Sequence, residues 1–204
     1  WEYYNNIIDI AVVYLAEPLI PGKSVEITTP FYVKIPLGVY SRLGHIGQSY
    51  QITQWFPKPA VFDRTGWHPL SYLSQGEFYS EFGSYDVSIT LPENYVIGAT
   101  GDLQNNIKEE QFLLAKVRET KKLIDSSYLP LLDSLGNPDM TFPKSSSSFK
   151  TLHFHQDNVH DFAWFADKRY HILKGQVELP KSKRLVNTWA MFTNNEADLW
   201  KNAI

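Results

Sequence analysis

His153 and His155 stand two residues apart in "KTLHFHQ", a segment whose composition reads as a β-strand. Strand side chains alternate between faces, so both rings share one face, where two imidazole nitrogens can in principle grip a metal. No third ligand is specified nearby, and the plainer reading is a pair of exposed or hydrogen-bonded strand histidines. His160 and Asp161 are neighbours in "VHDFAWF", which on a strand sends them to opposite faces and argues against a catalytic pair. Nucleophile signals are missing: the chain has no G-x-S-x-G elbow, no cysteine and no glycine-rich phosphate loop opening a helix. The zinc peptidase signature H-E-x-x-H is absent as well.

A second kind of chemistry is concentrated in "TQWFPKPAVFDRTGWHP", residues Thr53 to Pro69. Trp55, Phe56, Phe62 and Trp67 offer large apolar area, while Pro57, Pro59 and Pro69 fix φ and lower the entropy lost when a loop is held in place. Such a stretch is either a packed structural loop or a platform for a ligand. Asp63 and His68 read as capping or bracing groups within it.

The elements that must position these residues are mostly strands. Asn6 to Ala16 and Val25 to Ile35 are rich in Ile, Val and Tyr and suggest a first antiparallel hairpin with a long connection. "PLGVYSRLGHIGQ" is loop chemistry, and "SYQITQW" leads as a short strand into the aromatic stretch. Tyr85 to Leu91 alternates Val87, Ile89 and Leu91 with Asp86, Ser88 and Thr90, the pattern of a half-buried strand. "PENYVIGATGDLQ" continues as turn, short strand and glycine turn, for which a β-meander is the simplest topology. Asn106 to Leu123 predicts a helix, with Asn106 as cap and Glu109 completing a capping box. The serines, prolines and glycine of "SSYLPLLDSLGNPDMTFPKSSSS" predict a long surface insertion. Lys150–Gln156, Val159–Phe165 and Tyr170–Leu173 read as further strands, and "NNEADLWKNAI" as a helix beginning with Asn194 as cap.

The totals agree with a β-rich class. Aromatic residues make up 15% of the 204, a level that favours strands and cores. Charged residues are 20% and the formal net charge is -3, so nothing here draws the chain to nucleic acid. No run of about eighteen apolar residues is present to span a bilayer. The lack of cysteine removes disulfides and thiolate ligands but leaves the compartment open. Opening on Trp1, without an initiator methionine, the chain is expected to be a piece of a longer protein.

At "TQWFPKPAVFDRTGWHP", again at "GEFYSEFGSYDVSITLPENYVIGATGDLQ", and at "NVHDFAWFAD", the sequence resembles the membrane alanyl aminopeptidase family of gluzincin zinc metallopeptidases. It is most similar to the bacterial branch carrying a T-Q-W-[FY]-P-K segment. The three segments occur in that branch's order, and the resemblance covers most of the chain apart from Asn105–Phe149. It implies an all-β, antiparallel, saddle-like β-sandwich with one inserted helix and the start of a C-terminal helix. Residues 1–190 would be the N-terminal β domain, with its first strands upstream of Trp1, and 191–204 a linker and the first helix of a catalytic domain.

In that family the zinc, its ligands and the general base belong to the catalytic domain, so the resemblance implies no cofactor in this chain and zinc in the parent. The implied partners are the downstream catalytic domain and the parent's peptide substrate. One contribution to the substrate site is implied here, a Thr-Gln pair at a strand end, which Thr53 and Gln54 match. Gln54 also reads as a strand-end amide serving loop backbone groups. Aminopeptidases usually place an amine-binding glutamate two positions after that glutamine, where this chain has Phe56. An apolar ring offers no charge to an ammonium group. The leading expectation is thus a non-catalytic domain that covers a peptidase's catalytic cleft. The alternatives are a carbohydrate- or peptide-binding β-sandwich and a domain of a catalytically inactive scaffold relative.

Overall fold

The computed structural model describes residues 1–39, 42–73 and 78–204. The remaining positions include Tyr40 and Ser41 of the expected loop and Gly76 and Glu77 of the second family-like segment, which lie outside the described residues. In chain order the strands are β1 (Glu2–Tyr3), β2 (Ala11–Val12), β3 (Gly44–Ile46), β4 (Ser49–Ile52), β5 (Val61–Asp63), β6 (Gly66–His68), β7 (Gly83–Pro92), β8 (Val96–Ala99) and β9 (Asp102–Leu103). Helix α1 (Ile107–Asp125) follows, then β10 (Phe149–Val159), β11 (Trp164–Asp167), β12 (His171–Glu178), β13 (Leu185–Phe192) and the short helix α2 (Ala197–Trp200). Every named strand pair is antiparallel, so the expected β-rich antiparallel class is what the chain forms.

The alternation in β7 sets the register of the main sheet. Ile89 and Leu91 are buried while Asp86, Ser88 and Thr90 are exposed. β10 pairs Leu152 with Ile89 and Phe154 with Val87, so the apolar faces of the two strands coincide. A one-residue slip of either strand would turn its apolar face away from that of its partner, which fixes the pairing. The sheets β7-β10-β9 and β3-β4-β11-β8 share one core of Ile89, Leu91, Tyr95, Ile97, Leu152, Phe154, Phe162 and Ala166. Fully burying a side chain such as Phe162 or Leu152 contributes about 1.5–3 kcal/mol.

The expected meander does not form, because β8 pairs with β11, and β9 pairs with β10. The chain changes sheet at each turn. After β7 a turn closes with Tyr95 N donating to Pro92 O at 3.1 Å. At Gly101, where φ is +88°, a Cβ would lie 2.5 Å from the His155 carbonyl oxygen, so only glycine lets the turn press against β10. The edges of β10 and β11 thereby outcompete the sequence-adjacent strand.

The first hairpin is also not as expected. β2 spans two residues and pairs with β1, and residues 13–35 contain no strand. Their apolar side chains are open to water, with Ile27 59% and Tyr32 88% exposed. Period-two patterning signals a face that can be buried, but a strand also needs a partner edge, and none is offered to this segment among the described residues.

α1 forms where the pattern placed it. Asn106 Oδ1 accepts the Glu109 N–H at 2.9 Å, but Glu109 does not return the bond and instead pairs with Lys150. Leu113, Val117 and Thr120 make its buried stripe, and Ile172 N donates to Thr120 Oγ1 at 3.0 Å. The surface insertion over 126–148 is anchored by Lys168, which donates to Gln48, Pro143 O and Ser145, and by Arg169, which donates to Met140 O. The single strand expected over 159–165 is split, ending β10 and beginning β11. Asn194 does not cap a helix: its side chain is buried, binding His171 and the backbone of Leu131 and Asp139. No helix among the described residues is long and apolar enough to cross a membrane.

Candidate functional site

β4 ends at buried Ile52, which sits opposite Trp164 of β11, and the two residues after it leave the sheet. Gln54 does so with φ +50°, in the left-handed region that a long side chain rarely adopts. Thr53 and Gln54 then line a hollow of about 270 Å³ together with Arg42, Thr100, His160 and Asp161. Phe78 and Ala163 complete the wall.

The opposite rim is fixed by hydrogen bonds. Thr100 N donates to Ala163 O at 2.9 Å, and Ala163 N donates to Thr100 Oγ1 at 3.1 Å. Asp161 Oδ1 accepts the Phe162 N–H at 3.0 Å, and Trp55 Nε1 donates to Phe162 O at 3.1 Å. Lys58 Nζ lies 3.6 Å from Asp161 Oδ1 and 4.1 Å from the Phe78 ring centroid. The His160 ring stacks on Phe78, with centroids 5.6 Å apart.

β10 ends at Val159, so residues 160–163 are not a strand, and His160 and Asp161 face the same hollow. This corrects the opposite-face expectation for the pair. Phe56 goes elsewhere. Its ring packs edge-on against Trp55 at 5.3 Å and Tyr85 at 5.7 Å, on the β core and away from the hollow. Burial, with a smaller push from Asp161, raises the Tyr85 phenol above its ordinary pKa.

The aromatic stretch thus divides. Trp55 and Phe56 are packing, whereas Phe62 and Trp67 form an exposed pair on the β5–β6 hairpin, 62% and 66% accessible with centroids 4.9 Å apart. Asp63 braces that hairpin, binding His68 Nε2 at 2.9 Å and the Thr65 N–H at 2.8 Å. These bonds, His68 foremost, lower its pKa to about 2.

His153 and His155 do share a face, and both meet Asp86 Oδ1, at 3.2 and 3.0 Å. His155 Nε2 also lies 3.4 Å from Asp157 Oδ2. Among the described residues no group of three or more His, Asp or Glu side chains is arranged to hold a metal. A second hollow, of about 330 Å³, lies at the start of α1, and the Glu109–Lys150 ion pair forms part of its lining.

The sequence pointed to Thr53 and Gln54 but not to Arg42 or Thr100, which line the hollow from separate segments. Spacing carries no signal for such groups. Comparison of the chain with family profiles, curated proteins and solved structures returns no match.

Proposed function

We propose that the chain is the non-catalytic β domain of a zinc-dependent metallopeptidase of the alanyl aminopeptidase type, set over the catalytic cleft of a downstream domain, with Gln54 facing the peptide substrate. The observation that carries this reading is the backbone of Gln54. A left-handed glutamine costs on the order of 1–3 kcal/mol, and strain of that kind concentrates at functional sites. Here it turns the Thr53–Gln54 pair into the rim of a hollow rather than along the strand.

In this reading the zinc would be held by the downstream domain, where it would supply Lewis-acid and water-activating chemistry. The present chain binds and orients. Because Phe56 packs on the β core, no carboxylate two residues from Gln54 greets a free amine, and strict aminopeptidase specificity is not expected.

The test compares the gene product containing the downstream region with the 204 residues alone. The larger protein is expected to hold stoichiometric zinc and to hydrolyse peptide reporters in a chelator-sensitive way. Gln54→Ala should raise KM about tenfold with kcat little changed, since it removes a binding contact. The 204 residues alone should show neither stoichiometric zinc nor turnover. Absence of zinc-dependent hydrolysis in the larger protein, or turnover by the shorter one, would overturn the proposal. The exposed Phe62–Trp67 pair favours a second reading, a carbohydrate- or peptide-binding module. Under it, Trp67→Ala rather than Gln54→Ala abolishes ligand retention.

A further inference from the structure

The hollow beside Gln54 holds hydrogen-bonding capacity that the chain itself does not meet. Thr53 lines it, and Thr53 Oγ1 is buried with no hydrogen-bond partner among the described residues. A hydroxyl can both donate and accept, and a buried one left unpaired bears the full cost of its lost water. Gln54 brings a carboxamide, with the same two capacities, to the same lining. The Thr100 hydroxyl differs, since it accepts the Ala163 N–H at 3.1 Å and donates to Ala163 O at 3.3 Å. What the hollow offers a ligand therefore comes first from the adjacent Thr53 and Gln54.

The rest of the lining points to an uncharged group. Asp161 is matched by Lys58, whose ammonium lies 3.6 Å away and outside the lining, and Asp161 Oδ1 accepts the Phe162 N–H. Arg42 has an interaction of its own. Neither an ammonium nor a carboxylate thus finds an unmatched opposite charge here, and either would lose its water on entry. Phe78 and His160, their rings stacked with planes 19° apart, add an aromatic wall against which a flat group can pack. We infer that the hollow binds a secondary amide of a peptide, whose C=O and N–H pair with the Thr53 hydroxyl and the Gln54 carboxamide. The inference rests on the peptidase reading for the source of that amide, and it names the substrate class. The nitrogen held beside Gln54 is an acylated one, from a chain interior or a capped terminus, rather than a free amine.

The test is an NMR titration of the 204-residue chain with five probes. N-acetylalanine N-methylamide offers neutral amides, and N-acetylglycylalanine N-methylamide lengthens the acyl side as a chain interior does. Alanine N-methylamide presents a free amine, propionate a carboxylate, and methyl glucoside neutral hydroxyls without an amide. At least one acetylated probe is expected to shift the backbone amides of Thr53 and Gln54 and the Gln54 side-chain amide, and to bind about fivefold or more tighter than the last three. The tighter of the two acetylated probes names the source, a capped terminus for the shorter and a chain interior for the longer. Thr53→Val keeps the side-chain shape and should weaken that binding about fivefold, the loss of one neutral hydrogen bond, while Thr53→Ser should retain it. Should Thr53→Val fail to fold, Gln54→Ala is read instead, with a similar loss expected.

Binding of the free amine, the carboxylate or the glucoside within about fivefold of the better acetylated probe overturns the inference. So does silence with both acetylated probes, or full affinity in the variant read. The two readings fail separately. Zinc-dependent hydrolysis by the larger protein survives a negative titration, and a positive titration survives the absence of hydrolysis.

Discussion

Asp86 is held between two histidines, and this small cluster gives the clearest pH signature on the surface. The hydrogen bond to Asp86, reinforced by Asp157, raises the His155 pKa above its ordinary 6.5. The same bond lowers Asp86 below 3.8, with His153 adding to the effect, while Ser84 and then His155 lower Asp157. A histidine raised on folding contributes stability that is fully present below its unfolded pKa of 6.5 and is lost as pH rises through the higher folded value. The depressed carboxylates contribute above 3.8 and lose their share as pH falls through their folded values. An NMR titration of the His155 ring should therefore give a midpoint above 6.5 that moves towards 6.5 in Asp86→Asn, with no such movement if the cluster is incidental. The shared face of His153 and His155 was legible from their spacing. Asp86 was not, because it comes from a strand 67 and 69 residues away.

At the scale of elements, α1 is joined to β10 by an ion pair rather than by apolar packing alone. Lys150 Nζ lies 2.7 Å from both Glu109 oxygens, and the side chains are 10% and 5% exposed. Burial raises the Glu109 carboxyl and lowers the Lys150 ammonium, in each case against the smaller opposing effect of its partner. A carboxyl raised on folding favours the native state only at low pH, and an ammonium lowered on folding only at high pH, so near neutrality both are costs. Removing one partner strands a buried charge: Lys150→Met should lower unfolding stability by about 3–5 kcal/mol. The double variant Glu109→Leu/Lys150→Met should recover most of that loss in denaturant melts. A double variant as unstable as the sum of the single ones would show that the two charges are not coupled. The helix and its Asn106 cap were readable because capping and the apolar stripe are local signals. The pairing of Glu109 with a residue 41 positions on was not, so the sequence suggested a capping box where the structure has a crosslink.

Across the whole molecule, stability is unevenly distributed, and the division follows strand pairing rather than composition. β7 and β10 pair along nearly their whole length, and their inner face is the shared core. α1, β12 and β13 bury smaller clusters around Ile172 and around Leu173 with Phe192 and Ala197. Residues 13–35 have composition close to that of β7, yet their backbone joins no sheet and their apolar side chains face water. Local pattern reports that a segment is fit for a strand, whereas pairing depends on an edge elsewhere in the chain, which explains why β7 was legible and the first hairpin was misread. The same limit hid β9's place beside β10. Hydrogen exchange should follow this division, with amides of β7 and β10 opening only with global unfolding and those of 13–35 exchanging at close to the free-chain rate. Strong protection over 25–35 would mean that this segment pairs with a strand edge after all. The apolar surface of Val25, Ile27 and Phe31 would then belong to a sheet rather than to solvent.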